Sequence, residues 1–446
     1  MSKKNKRRSV RDAALDVIIA VESQASYSNL LLHHAIETNQ VSKKDTGLLT
    51  ELTYGTLQRR DALDYFLAPF LKGKKIDAWV RNLLRLSVYQ MVYLDKIPER
   101  AIFHEAVEIA KARGHKGIAG MVNGVLRSMQ REGVKSLEDI NDQEERLAVS
   151  TSHPVWLVKR WVEQYGFDKT KEMVEVNIKA PYQTIRINSI VSTREEVIEK
   201  LTEEGFMVEA SPYVPEAIRV LKGNAANSPL FTEGFYTIQD ESSMIVAHVA
   251  DIENGSKVLD MCAAPGGKTT HMAEKNKDGQ VISLDLHKHK KKLIDENAER
   301  LKLKNIKSYV MDGRKALETF EKESYDRVLV DAPCSGFGVM RRKPDIKYSK
   351  VEEDIHRLSS IQSELLSVAS KLVKPNGLLL FSTCTVDKEE NNENIVRFLK
   401  EHPEFDLETP QVPSAIQPFV EDNMLQLFPQ DIDSDGFFIA ALRKKG

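Results

Sequence analysis

Along the first third of the chain, apolar residues recur every three or four positions. Ala14, Val17, Ile18 and Val21 begin the pattern, and the same spacing runs through residues 28–38, 45–58, 60–71, 76–95, 99–113 and 116–131. That period predicts a succession of amphipathic helices. Asp45 and Pro98 stand where helices start, positions that favour a capping carboxylate or the fixed φ of proline. No stretch here alternates with period two, so residues 1–133 read as an all-helical bundle. The polar stretch SLEDINDQEERLA (136–148) marks a boundary. SHPVWLVKRWVEQYG (152–166) predicts another amphipathic helix, with Trp156 and Trp161 assigned to a core rather than to base stacking. QTIRINSIV (183–191), a helix from about Thr193 to Glu204, and the segments FMVEAS, AIRVL and GFYTIQD then mix strands with a helix. Residues 134–240 are therefore read as linker helices followed by a small α+β module, and FTEGFYTIQDESSM (231–244) as a lead into the pocket of the last domain.

From residue 241 to 446 strands and helices alternate. Strands are expected at Lys257–Met261, Gln280–Asp285, Lys307–Asp312, Arg327–Asp331, Gly377–Ser382 and Gly436–Leu442. Such alternation predicts a doubly wound parallel sheet, a Rossmann-like α/β domain. The first four strands each end in a carboxylate: Asp260, Asp285, Asp312 and Asp331. Sheets of this type bind ligands at that edge, so four in succession point to a site.

The first strand runs into LDMCAAPGGKTTHMA (259–273), a strand, glycine turn and helix start. Gly267-Lys268-Thr269 matches the end of a phosphate-binding P-loop, but Cys262 holds the place of its first glycine, and Gly-x-Gly-x-x-Gly is absent. Asp260 would repel a pyrophosphate and suits a cationic ligand such as S-adenosylmethionine. Asp285 lies at the interval after the turn at which an acidic residue accepts from ribose hydroxyls. Asp312 is placed either to receive an adenine amino group or to cap the helix beginning at Arg314.

Composition narrows the class. No apolar run approaches the ~20 residues of a membrane span, and MSKKNKRRSVR leads into a helix without a signal-peptide core, so a cytoplasmic protein is expected. Residues 1–133 carry 22 Lys and Arg against 14 Asp and Glu, whereas the remainder carries 42 against 52. The basic front suits a polyanion, although an uneven solvated surface gives the same count. HKHKKK (287–292) reads as a solvated helix face. Three cysteines, Cys262, Cys334 and Cys384, are too few and too scattered for a disulfide framework or a zinc site, so no metal is expected.

Cys334 follows the fourth strand in DAPCSGFGVMRRKPD (331–345), and Cys384 follows the fifth in TCTVDKEENNENI (383–395). Adjacent strands would deliver both into the cofactor crevice. Buried structural cysteine is the ordinary alternative, but polar loops offer little to pack against. Two thiols beside a methyl donor suit methylation of a pyrimidine at carbon 5, which a thiolate activates by adding at carbon 6. Asp331 is placed to hydrogen-bond the pyrimidine edge, and the second thiol to act as base or to aid release. A non-catalytic RNA-holding protein is the competing class.

VRNLLRLSVYQMVYLDKIPERAIFHEAVEIAK (80–111) with MVNGVLRSM (121–129) resembles the NusB-like RNA-binding domain. That resemblance makes Arg7, Arg8, Lys43 and Lys44 phosphate contacts. AAPGGK, DAPCSG and STCT, with SHPVWL, together resemble the RNA (cytosine-5) methyltransferases of the NOL1/NOP2/Sun family, over nearly the whole chain. The resemblance implies S-adenosylmethionine-dependent methylation of one cytosine in 16S rRNA, free or in a small-subunit assembly intermediate, by a monomer. It makes Cys384 the nucleophile and Cys334 the residue that assists release. It maps cofactor contacts onto Cys262, Ala263, Ala264, Pro265, Gly266, Gly267, Lys268, Asp285, Asp312 and Asp331.

Overall fold

The computed structural model describes residues 9–446 apart from 25–30, 33, 37–41 and 43–44. Arg7, Arg8, Lys43, Lys44 and much of the expected helix at 28–38 lie outside the described residues. The chain divides into two compact units, Met1–Lys179 with Met340–Lys350, and Ala180–Val339 with Val351–Gly446.

The first unit is helical: Val10–Gln24, Thr46–Gln58, Arg60–Leu71, Ala78–Tyr93, Glu99–Arg113, Lys116–Glu132, Gln143–Thr151, Val155–Tyr165 and Phe167–Asn177. In Lys116–Glu132 the buried positions are Ala119, Val122, Val125, Leu126 and Met129, the i, i+3, i+7 stripe read from the sequence. Each fully buried Leu or Val contributes about 1.5–3 kcal/mol. Trp161 is buried, in keeping with a core role. Asp45 precedes its helix but does not cap it; its carboxylate instead accepts from the Ser42 hydroxyl at 2.7 Å.

Met340–Lys350 belongs to this unit despite its distance in sequence. The Gln58 amide donates to Met340 O at 2.9 Å, Tyr348 OH donates to Ser152 O at 3.1 Å, and the Arg60 guanidinium lies 3.2 Å from the centre of the Tyr348 ring. Lys347 is buried, its Nζ donating to Gln58 O at 3.3 Å and Thr151 O at 3.4 Å.

The second unit holds two sheets. Strands β1 (Gln183–Ile187), β2 (Met207–Ala210), β3 (Ala217–Lys222) and β4 (Tyr236–Ile238) form an antiparallel sheet ordered β2-β3-β1-β4, over the helix Arg194–Glu203 with its Thr193–Glu196 capping box.

The larger sheet contains β5 (Lys257–Asp260), β6 (Gln280–Asp285), β7 (Ile306–Val310), β8 (Tyr325–Asp331), β9 (Val373–Thr383), β10 (Phe405–Glu408), β11 (Val420–Glu421), β12 (Met424–Leu427) and β13 (Phe437–Lys444). Its order is β11-β12-β13-β9-β8-β5-β6-β7, with β10 also against β13. Strands β5 to β9 are parallel, but β13 is antiparallel to β9. The sheet is therefore mixed, whereas the sequence reading made every strand parallel, because period-two alternation carries no direction. β5 lies between β6 and β8, so the chain winds to one side after β5 and to the other after β8. That reversal opens a crevice at the carboxyl ends of β5 and β8.

Candidate active site

The turn after β5 is built by backbone bonds. Ala263 N donates to Leu284 O at 2.9 Å, and Gly266 N donates to Ala263 O at 2.8 Å; the Ala264–Pro265 peptide is cis. Gly266 has φ +102°, and a Cβ there would lie 3.2 Å from Ile294 Cα, so only glycine fits. The helix Gly267–Lys275 begins at once.

Three of the four expected carboxylates close their strands, and Asp312 lies two residues beyond β7. Asp260 is fully buried. Its Oδ2 accepts from the Thr269 hydroxyl at 2.7 Å, while Oδ1 has no partner. Burial pushes Asp260 up to about 7, with the Asp331 charge adding to the effect. Asp285 accepts from Ala264 N at 3.3 Å and His287 N at 3.1 Å. Asp312 caps the turn at Gly313–Glu318, taking Arg314 N at 3.0 Å, and pairs with the Arg314 guanidinium, which holds its carboxyl below the usual range. Cys262 stands among these groups: burial first, then Asp260, Asp331, Asp285 and Asp312, push its thiol well above the ordinary value.

Asp331 links the glycine turn to the cysteine loops. Its Oδ2 lies 2.7 Å from Lys268 Nζ, and its Oδ1 accepts from the Ser382 hydroxyl at 2.8 Å. Burial opposes the charge on Lys268, but Asp331 outweighs it, and Cys384 adds to the net rise.

The pairing of β8 with β9 places Asp331 opposite Ser382, so both loops leave the same edge. Cys334 Sγ and Cys384 Sγ are 3.4 Å apart, both half-buried and neither in a disulfide. The hydrogen bond to Cys384 and then burial push the Cys334 thiol well above its ordinary value. Gly338 N donates to Cys384 O at 3.0 Å, and Gly338 O accepts from Gly436 N at 2.9 Å. The loop after β9 and the loop before β13 thus grip the loop that follows β8.

Comparison with known proteins decides the family. Residues 247–443 match the family described as 16S rRNA methyltransferase RsmB/F, residues 8–131 the NusB family, and residues 153–226 the ferredoxin-like domain of RsmF/B-like methyltransferases. The probable ribosomal RNA small subunit methyltransferase B of Bacillus subtilis is 53% identical, covering 99% of this chain and 100% of its own. The ribosomal RNA small subunit methyltransferase B of Klebsiella pneumoniae is 34% identical over the whole of both chains. The chain belongs to the RsmB/F family of 16S rRNA methyltransferases. A crystal structure of the protein PH0851 matches the full length of both chains with a TM-score of 0.85 at 29% identity. NSun6 from Pyrococcus horikoshii shares the fold over 65% of this RsmB/F chain and 97% of its own, with a TM-score of 0.58 at 22% identity.

Sequence reasoning missed several residues of this RsmB/F site. Arg186 on β1 is fully buried and donates to Glu274 at 2.8 Å, Thr270 at 3.2 Å, Gly267 O at 3.2 Å and Gln239 at 3.1 Å. It fixes the start of the helix after the glycine turn. Gln239, inside the 231–244 segment expected to approach the pocket, stands 3.5 Å from where a Gly267 Cβ would be. Glu390, Gln362, Asn391 and Asn394 are buried behind the cysteine loops. The signal for Glu390, Asn391 and Asn394 was the polar run KEENNEN (388–394) after an apolar strand, and Gln362 on its helix carried none. Among the described residues no group of His, Cys, Asp and Glu is arranged to hold a metal, and no helix is long and apolar enough to cross a membrane.

Proposed function

We propose that this protein methylates carbon 5 of one cytosine in 16S rRNA, using S-adenosylmethionine, through a covalent bond between Cys384 and carbon 6. The observation that carries this reading is the 3.4 Å contact of two cysteine thiols beside the Lys268–Asp331 pair. An RNA-holding scaffold has no use for that arrangement.

The crevice fits a sulfonium-bearing cofactor. Four carboxylates surround Cys262, and the buried Asp260 Oδ1 lacks a hydrogen-bond partner. A cation or an N–H donor would supply what that oxygen lacks. Cys262, Ala263, Ala264, Pro265, Gly266, Gly267, Lys268, Asp285, Asp312 and Asp331 would hold it, and when bound it supplies an electrophilic methyl group.

The chain's own residues do the rest. Asp331, oriented by Lys268 and Ser382, accepts from the cytosine amino group and so holds the ring beside Cys384. Cys384, as a thiolate that has given its proton to solvent, bonds through Sγ to carbon 6 and leaves the ring electron-rich at carbon 5. After methylation the carbon 5 proton departs to a base, its electron pair restores the ring double bond, and Cys384 leaves as thiolate. Cys334, kept as a thiol, donates its S–H toward that departing sulfur and so assists release. A base stacked in a duplex hides carbon 6, so the target is flipped out or already single-stranded.

The substrate is 16S rRNA, free or in an assembly intermediate, and the protein works as a cytoplasmic monomer. Transfer of labelled methyl from S-adenosylmethionine to 16S rRNA, with bisulfite sequencing of rRNA from cells with and without the protein, tests the reading. Protection of one cytosine supports it; methylation of another base or position overturns it.

A further inference from the structure

We infer that Glu390 and Gln362 are positioning residues that clamp the backbone on both sides of Cys334 and hold its thiol where it can release the RNA. This rests on the proposed role of Cys334 and adds the device that enforces it.

Gln362 lies on the helix Glu352–Leu372 and is fully buried. Its Nε2 donates to Pro333 O at 3.0 Å and to Glu390 Oε1 at 3.0 Å. Glu390 Oε1 also accepts from Ser335 N at 2.9 Å. One buried pair therefore grips the residue before Cys334 and the residue after it. The Ser335 hydroxyl in turn meets the Thr385 hydroxyl at 2.7 Å, and Thr385 follows Cys384. The Thr385 carbonyl accepts from Asn391 Nδ2 at 3.1 Å, and Asn394 Nδ2 donates to Gln362 Oε1 at 3.0 Å. Both thiols are thus tied to one hydrogen-bonded unit.

Structure alone does not account for this choice of residues. Glu390 is fully buried, yet its Oε2 has no partner, an arrangement that lowers stability and that an apolar packing would avoid. Burial raises its carboxyl to about 7, against the bonds from Ser335 and Gln362, with Asp387 adding to the rise. Retention of so unfavourable a group directly behind Cys334 fits a requirement for position. A thiol assists a leaving sulfur only at contact distance and in line, and a displacement of about 1 Å lowers such steps by roughly 10²-fold.

The experiment uses the full-length protein, S-adenosylmethionine and a 16S rRNA transcript, and reads RNA–protein complexes that survive denaturing gels. Gln362→Leu and Glu390→Ala are expected to accumulate such complexes at least tenfold above the wild type, with cofactor binding retained. Glu390→Gln keeps an acceptor for Ser335 N and Gln362 and should restore release. Wild-type release in Gln362→Leu, or failure of Glu390→Gln to rescue, overturns the clamp. Should Glu390→Ala not fold, Gln362→Leu and Glu390→Gln still decide. If Cys334→Ala itself traps no complex, the reading of Cys334 falls; if it traps one and Gln362→Leu does not, only the clamp falls.

Discussion

Cys334 Sγ and Cys384 Sγ touch at 3.4 Å across fifty residues of sequence, because β8 and β9 are parallel neighbours. If the two divide bond formation and release, their replacements separate cleanly. Cys384→Ala should lower methyl transfer at least ~10³-fold, with cofactor binding unchanged in a calorimetric titration. Cys334→Ala should leave protein bound to RNA on a denaturing gel. Turnover by Cys384→Ala would reject the assignment.

Asp331 is held by Lys268 and Ser382 yet remains partly open to the crevice, with 23% of its side chain exposed. Asp331→Asn keeps the shape and removes the charge. A loss of roughly 10²–10³-fold in kcat/KM is expected, the scale for a single group aimed at a reacting ring. The melting temperature should move by only a few degrees, so a collapse of stability with no separate rate effect would argue against a role in the chemistry.

Gly338 is the tightest point of the cysteine loops. A Cβ there would fall 2.0 Å from Gly436 O and 2.8 Å from Cys384 O. Gly338→Ala should destabilise the protein by about 1–3 kcal/mol and slow methyl transfer, since the backbone that must yield carries Cys384. Gly124, in the helix Lys116–Glu132 with nothing within 4 Å, is the control. Gly124→Ala should stabilise by about 0.5–1 kcal/mol. Thermal melts of the pair check both signs.

Lys347 gives the helical unit a pH signature. Burial pulls its ammonium down from 10.5 to about 7. Between those values the unfolded chain binds a proton that the folded chain does not, so this group makes stability rise with pH from about 7 to about 10.5. Below about 7 both states are protonated and the contribution is flat at its least favourable. The slope is at most about 1.4 kcal/mol per pH unit. Denaturant titrations at several pH values between 7 and 10 should show the stability of the wild type gaining on that of Lys347→Met as pH rises. A pH-independent difference would refute it.

Much of this was legible beforehand, for physical reasons that differ by element. Helices such as Glu99–Arg113 and Lys116–Glu132 announced themselves because a 3.6-residue stripe extends over several turns. Asp260, Asp285 and Asp331 were found at strand ends because a charge interrupts an apolar run. The direction of β13 was not foreseen because a strand pattern carries no direction, and β11 and β12, at two and four residues, are too short to show a period. Arg186, Gln362 and Glu390 were missed for a deeper reason. A buried polar side chain looks like a surface one in sequence, and only the fold shows that its partners lie dozens of residues away.

The chain leaves the Cys334 turn, enters the helical unit at Met340 and returns at Val351. The methylating sheet is therefore not a detachable cassette. A fragment beginning at Ala180 would carry Lys347 and Tyr348 without Gln58, Arg60, Thr151 and Ser152 to receive them. Grafting a different front end onto this sheet requires exchanging Met340–Lys350 along with it.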